Sequence, residues 1–301
     1  LLITGAINVK GTRESASVQN ISSWIKIGGI VVMGTLLLTL GDSPVLESTS
    51  DAGGTTLTAI GLAMISVLWA YEGWQYVTFS DGEAIDPQRM IPRALVIGTT
   101  ALTALYLFAN LGYLAAMGAD RVASSERVAA EAVTTVLGST AGSLVAIIII
   151  ISMFSAAHSV VITAPRVYFA MAKDEVFFRK LAEVHPRFGT PAFAIIASCS
   201  WAAVLAATGT FEQLLTYVVF VGWIFYALGA AAVIALRFKL PDAPRPFRVP
   251  GYPVTPVLFI LAAVAIVGNT IVEQPVQSAM GIAIVLLGAP AYWLWRRKAA
   301  A

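Results

Sequence analysis

Apolar positions in this chain come in long uninterrupted runs. They show neither the alternation of a half-buried strand nor the one-sided stripe of a water-facing helix. Eight runs can be marked, at residues 18–40, 56–80, 92–117, 139–171, 191–208, 213–238, 254–272 and 277–297. At about 1.5 Å of rise per residue, a run of about 20 residues crosses the hydrocarbon of a bilayer. Residues 147–151 are consecutive isoleucines, which no solvated helix would carry. The 191–208 run is short, but Pro191 supplies a first-turn start and Gly209 a stop. The connectors hold most of the prolines, among them those at 87, 92, 186, 241, 244, 246, 250 and 253. The pattern predicts an all-α membrane protein of about eight transmembrane helices, with no soluble domain inserted between them.

Composition agrees with this class. The 301 residues are 58% hydrophobic and 12% charged, against about 25% charged for soluble domains, and mean hydropathy is +0.80. The net charge of +2 conceals an uneven distribution. One set of connectors and flanks holds Lys10, Arg13, Arg89, Arg93, Arg166, Lys173, Arg179, Lys180, Arg187, Arg237, Lys239, Arg245, Arg248, Arg296, Arg297 and Lys298. The alternate set holds only Arg121 and Arg127, among eight acidic residues. An excess of Lys and Arg marks cytoplasmic loops, so the C-terminus is expected inside and the 56–80 run is expected to enter from outside. The remaining basic residue, Lys26, lies within a span. The basic residues are scattered over topogenic loops and make no nucleic-acid patch. The single cysteine, Cys199, excludes an intrachain disulfide and a Cys-type metal site. No dinucleotide fingerprint, phosphate loop, zinc spacing or nucleophile motif is present, so no cofactor and no enzymatic chemistry are expected.

One run is unlike the others. Residues 57–79 read LTAIGLAMISVLWAYEGWQYVTF, with Glu72 and Gly73 inside an otherwise apolar stretch. An ionisable side chain at mid-membrane is disfavoured by roughly 3 kcal/mol or more and marks a functional site by default. Gly73 is where the helix can break and present backbone polar groups, which lipid does not tolerate unless they face protein or a water-filled cavity. Interrupted helices near the midplane build the substrate sites of secondary transporters.

Past Gly73 the chain continues QYVTFSDGEAIDPQRMIPRAL, then carries APRVYFAMAKDEVFF, VHPRFGTP and PFRVPGYPVTP in order. With the Trp69–Trp74 stretch, these motifs resemble the amino acid–polyamine–organocation (APC) superfamily of transporters, in particular the L-type amino acid transporter branch, in register over nearly the whole chain. The resemblance implies a LeuT-type fold of two inverted five-helix repeats with two extra helices. Residues 1–8 would end family helix four, 18–40 would be helix five, 56–238 the second repeat (helices six to ten) and 254–297 helices eleven and twelve. On this reading residues 1–301 form a single transmembrane transporter domain, a fragment without family helices one to four.

The resemblance also implies roles. Trp69 matches a gating aromatic that covers the bound amino acid from outside. Trp74 would wall the pocket, with ordinary helix packing as the alternative for both tryptophans, and Ala70, Tyr71 and Gly73 would act through backbone that receives the substrate ammonium. Glu72 would lie beside the substrate, either favouring a cationic side chain or taking part in proton coupling, or else face a vestibule with little consequence. Lys26 matches a family lysine near the second sodium site of sodium-coupled relatives, where its ammonium would replace the ion and make transport sodium-independent. Its alternative is to snorkel to the cytoplasmic face. Glu83 and Arg166 are inner-gate candidates, with two solvated charges as the alternative. His158 is either a satisfied interior histidine or a cavity-facing one.

The function so implied is a secondary amino acid transporter, a permease or exchanger working by alternating access in a multi-pass bacterial plasma membrane protein. Its partners would be the amino acid, the bilayer and a coupled proton or exchanged amino acid; no partner subunit is indicated. Neutral amino acids come first as substrates, cationic ones or polyamines in antiport next. From other classes, the alternatives are an inactive or accessory membrane subunit, and a membrane-embedded enzyme using Glu72 as acid or base. The enzyme would require further polar groups at the same depth.

Overall fold

Long apolar runs with few breakers leave the backbone one way to bond all its amides locally, and the chain takes it. A computed structural model describes residues 1–44, 57–209 and 211–299, and among them every regular element is helical. The α-helices are α1 (Leu2–Lys10), α2 (Thr12–Leu40), α3 (Leu57–Ala70), α4 (Pro87–Met117), α5 (Ala119–Ser124), α6 (Val128–Leu137), α7 (Ser139–Lys173), α8 (Ala192–Thr208), α9 (Phe211–Lys239), α10 (Val254–Glu273) and α11 (Pro275–Ala299). Six stretches, in α2, α4, α7, α9, α10 and α11, are long and apolar enough to cross a membrane. The other two expected spans are helical but shorter: α8 has 17 residues, and α3 stops after 14. The connector between α4 and α7 folds into α5 and α6, two helices that the apolar pattern does not mark. Large side chains such as Ile147, Ile150 and Leu286 stand more than half exposed, the surface that lipid covers.

The chain divides into two compact units. The first comprises Leu1–Gly53, Arg93–Arg166 and Glu183–Cys199. One of its cores joins Leu37 of α2, Ala116 and Met117 of α4, and Ala132 and Val133 of α6. Close backbone approach makes this packing possible. A Cβ on Gly41, just past α2, would lie 2.4 Å from the carbonyl oxygen of Ala115, while the Ser43 N–H donates to that same oxygen at 2.9 Å.

A second core in this unit sets Val161, Ile195 and Cys199 against Val9, and beside it lies a buried polar clasp. The chain interrupts its helix at Gly11, between α1 and α2, and the carbonyls near the interruption find side chains. Thr190 Oγ1 donates to Val9 O at 2.8 Å. His158 of α7, fully buried, lies 3.1 Å from Ser15 O through Nε2 and 3.1 Å from Asn8 Nδ2 through Nδ1. A carbonyl only accepts, so Nε2 carries the hydrogen and Nδ1 accepts from the Asn8 amide. This is the satisfied interior histidine of the two readings above. Lys26 lies half-buried on α2, and Arg166 is buried on α7 directly after the buried Pro165.

The second unit comprises Gly54–Pro92, Val167–Ala182 and Ser200–Ala301. Here α9 packs along both α10 and α11, and α3 lies against α10. Near Gly61 of α3 the Asn269 side chain of α10 comes within 3.2 Å of where a Cβ would stand, so a larger residue there would push that side chain aside by a few tenths of an ångström.

Three outcomes follow for stability in detergent or nanodiscs. Gly41→Ala drives a methyl group into the carbonyls of Ala115 and Leu37 and should destabilise the protein by about 2 kcal/mol or more. Gly28→Ala, with nothing within 4 Å of its Cβ, should be neutral or stabilise by up to about 1 kcal/mol through helix propensity. His158→Leu removes the acceptor of the buried Asn8 amide and the side-chain donor to Ser15 O and should cost about 1–3 kcal/mol. Thermal unfolding of the three variants against wild type measures all three effects, and a His158→Leu protein as stable as wild type would contradict the clasp.

Candidate functional site

The 56–80 run breaks where its glycine stands. α3 ends at Ala70, and the backbone tightens before it turns. Tyr71 N–H donates to Leu68 O at 3.2 Å and Glu72 N–H to Trp69 O at 3.0 Å, three residues back instead of four. Gly73 has φ +117°, a left-handed conformation that a side chain would strain. Its N–H donates to Gln75 Oε1 at 3.2 Å, so a side chain serves an amide that the broken helix cannot. Tyr76 N–H donates to Gly73 O at 3.1 Å, and Trp74–Glu83 continues as a 3₁₀ helix. This winding has poorer hydrogen-bond geometry than an α-helix. Thr78 adds to the tight winding by donating its hydroxyl to Gln75 O at 2.7 Å.

Glu72 lies at the centre of a small polar cluster. Its Oε1 accepts from Gln75 Nε2 at 2.6 Å and from the hydroxyl of Tyr226 on α9. Gln75 is buried. A carboxylate in an apolar surrounding is tolerable only with such donors. Aromatic rings close around the cluster. Trp74 tilts against Tyr226 at 5.3 Å between centroids, Trp223 meets Tyr226 edge-on at 5.9 Å, and Phe259 of α10 stacks on Trp223 at 5.8 Å. Such contacts orient rings beyond simple burial. The result is an apolar wall built from the break, α9 and α10, with one carboxylate held in place at the break.

The expected residues fall as follows. Trp69 and Ala70 are the last two residues of α3, Tyr71 to Gly73 form the turn, and Trp74 opens the 3₁₀ helix, so all six candidate positions of the break share one local structure. Glu83 closes the 3₁₀ helix, and its side chain lies outside the described residues. Arg166 and Lys26 belong to the first unit. Sequence reasoning did not mark Gln75, Tyr226, Trp223 or Phe259. The signal for three of them was present. Trp223 and Tyr226 stand three apart in an apolar run, on one helix face, and the second carries a hydroxyl that needs a partner. Gln75, two residues past the glycine, was legible as the donor nearest to Glu72.

A profile of the amino acid permease family matches residues 1–290. The chain is 32% identical over its whole length to the serine/threonine exchanger SteT of Bacillus subtilis (strain 168), covering 69% of that protein. It is 29% identical to the human large neutral amino acids transporter small subunit 2, over 99% of the chain and 57% of the relative. It is 27% identical to the human cystine/glutamate transporter, over 99% of the chain and 60% of the relative. The chain therefore spans between just over half and about two thirds of the length of these relatives. A match of this extent, on a helical chain with a glycine break at Trp69–Trp74, establishes that the protein belongs to the amino acid permease family, in the L-type branch of the APC superfamily with its LeuT-type fold.

Proposed function

We propose that this chain forms part of a sodium-independent amino acid permease or exchanger, working by alternating access as a multi-pass protein of a bacterial plasma membrane with its C-terminus in the cytoplasm. The observation that carries the reading is the interruption of α3 at Ala70, with Gly73 at φ +117°, inside a segment otherwise apolar enough to be buried in lipid. An interruption at that place gives a substrate ammonium backbone carbonyls to bind. Each carbonyl oxygen has two lone pairs, so one already engaged can accept a second bond. Trp69 would close over the bound amino acid and Trp74 with Tyr226 would wall its side chain. The α-carboxylate would be bound by parts of the protein outside this chain. Lys26 would supply the fixed positive charge that replaces a coupling ion, and Glu83 with Arg166 would serve the inner gate. The relatives are named as exchangers and transporters of amino acids, which agrees with this reading and leaves covalent chemistry without a part in it.

Neutral amino acids are the first substrate class, because the walls around the break are aromatic. One observation favours a second. Glu72 is held by two donors that both meet Oε1, which aligns the carboxylate and suits it to a cationic side chain, as in a cationic amino acid or polyamine antiporter. Uptake into proteoliposomes by the full-length protein, competed with a panel of amino acids with and without sodium and a pH gradient, tests the whole reading. Saturable uptake that is indifferent to sodium is the expected result. No uptake with any amino acid would replace it with an accessory or inactive subunit.

Glu72→Gln keeps the hydrogen-bond geometry and removes the charge. If the charge reads the substrate side chain, arginine or ornithine uptake should fall roughly tenfold or more while serine uptake stays within about twofold; unchanged selectivity would return Glu72 to a structural role. Tyr226→Phe keeps the ring wall and removes one donor to the carboxylate. It should raise the apparent KM by roughly tenfold with little change in thermal unfolding, and an unaltered KM would remove Tyr226 from the site.

A further inference from the structure

The connector between α4 and α7 holds Arg121 and Arg127, the two basic residues in the otherwise acidic set of connectors. Loops on that side are normally poor in arginine, and the fold brings both into one concavity. Arg121, on α5, reaches across to α6, where its Nη2–H donates to Thr135 Oγ1 at 3.2 Å. Thr135 is itself anchored, donating to Glu131 O at 2.9 Å. Arg127 stands in the turn between the two helices. Its N–H donates to Ser125 Oγ at 3.2 Å, and that hydroxyl donates to Glu131 Oε2 at 2.7 Å, which ties the turn to the carboxylate. Gly142 of α7 closes the far side: a Cβ there would lie 2.0 Å from Thr134 Oγ1, so α6 and α7 approach this closely only because the residue is glycine.

These elements enclose an open cavity of about 400 Å³, lined among others by Arg121, Arg127, Glu131, Thr134, Thr135 and Ser143. That volume exceeds what a bare ion needs and lies within the range of small-molecule sites. Among the described residues no ion pair engages either guanidinium, although Glu131 lines the same cavity. Two planar forks lining one cavity suit a carboxylate, which a guanidinium binds bidentately. The opposite charge of Glu131 and the hydroxyls of Thr134 and Ser143 suit a cationic group carried a few ångströms from that carboxylate. A concave surface with this charge arrangement also concentrates such a solute from the medium.

We propose that this cavity is a second solute site, outside residues 69–74, that binds an amino-acid-sized zwitterion with its carboxylate on Arg121 and Arg127 and its ammonium at Glu131. On the charge pattern it opens to the exterior. Binding here does not depend on transport through the break at Gly73, so this site and the proposed transport activity can fail separately.

The test is equilibrium binding of L-alanine, with acetate as the carboxylate-only probe and inorganic phosphate as the bare oxyanion. It uses the full-length protein in phosphatidylcholine nanodiscs. Replacing both arginines by glutamine should remove one equivalent of bound alanine and abolish its competition by acetate, with thermal unfolding unchanged. Replacing both by lysine keeps the charge and should retain binding within roughly tenfold, which separates loss of recognition from loss of fold. Glu131→Gln should weaken alanine by roughly tenfold and leave acetate as tight or tighter. Alanine stoichiometry and affinity equal to wild type in the double glutamine variant would overturn the site. Phosphate binding as tightly as alanine, or alanine binding indifferent to Glu131→Gln, would overturn its assignment to a zwitterion.

Discussion

A peptide group in hydrocarbon has only the protein to bond with, and the break that ends α3 is shaped by that constraint. Where α3 stops, the amides of Tyr71 and Glu72 shorten their reach to i−3, the Gly73 amide turns to the side chain of Gln75, and the chain resumes as 3₁₀ from Trp74. Where α1 gives way to α2 at Gly11, the carbonyls of Val9 and Ser15 are met by Thr190 and His158. In both places a side chain meets the backbone at an interruption, and at the second it comes from far along the chain. The difference lies in what each interruption leaves available. The joint at Gly11 is closed off by a fully buried imidazole, whereas the break at Gly73 leaves a carboxylate among aromatic rings.

That carboxylate is the expensive element of the second unit. Tyr226 and Gln75 supply its donors, and the same tyrosine ring is gripped by Trp74 and Trp223. Charge, hydrogen bonding and aromatic packing therefore converge on one side chain of α9, and α9 is in turn held along α10 and α11.

The first unit solves a different problem. Its helices meet through small residues, Gly41 against Ala115 and Gly142 against Thr134, and between these contacts the α4–α7 connector folds into two short helices instead of a loose loop. Arg121 and Arg127 gain fixed positions from that folding, through Thr135 and Ser125. Two arginines that charge counting treats as exceptions to topology become, in three dimensions, the lining of one cavity.

The amino-acid sequence by itself determined the helical class, the positions of the spans, the residue at which α3 breaks and the family. All of these rest on local properties: the length of an apolar run, the φ freedom of a glycine, the placement of prolines, and short motifs read in order. Glu72 was legible for the same reason, since a charge in an apolar run is visible without knowing its neighbours. Tertiary structure decided what Glu72 touches, because Tyr226 lies 154 residues away and no local rule pairs them. It also decided that His158 would be satisfied, through Asn8 and Ser15 across separations of 150 and 143 residues, and that the segment after Gly73 would wind as 3₁₀. The short helices α5 and α6 escaped the apolar pattern because only a narrow face of α6, at Ala132 and Val133, is buried. Periodicity can mark where a helix must be; which distant side chain satisfies a buried polar group depends on packing, and packing is a property of the folded chain.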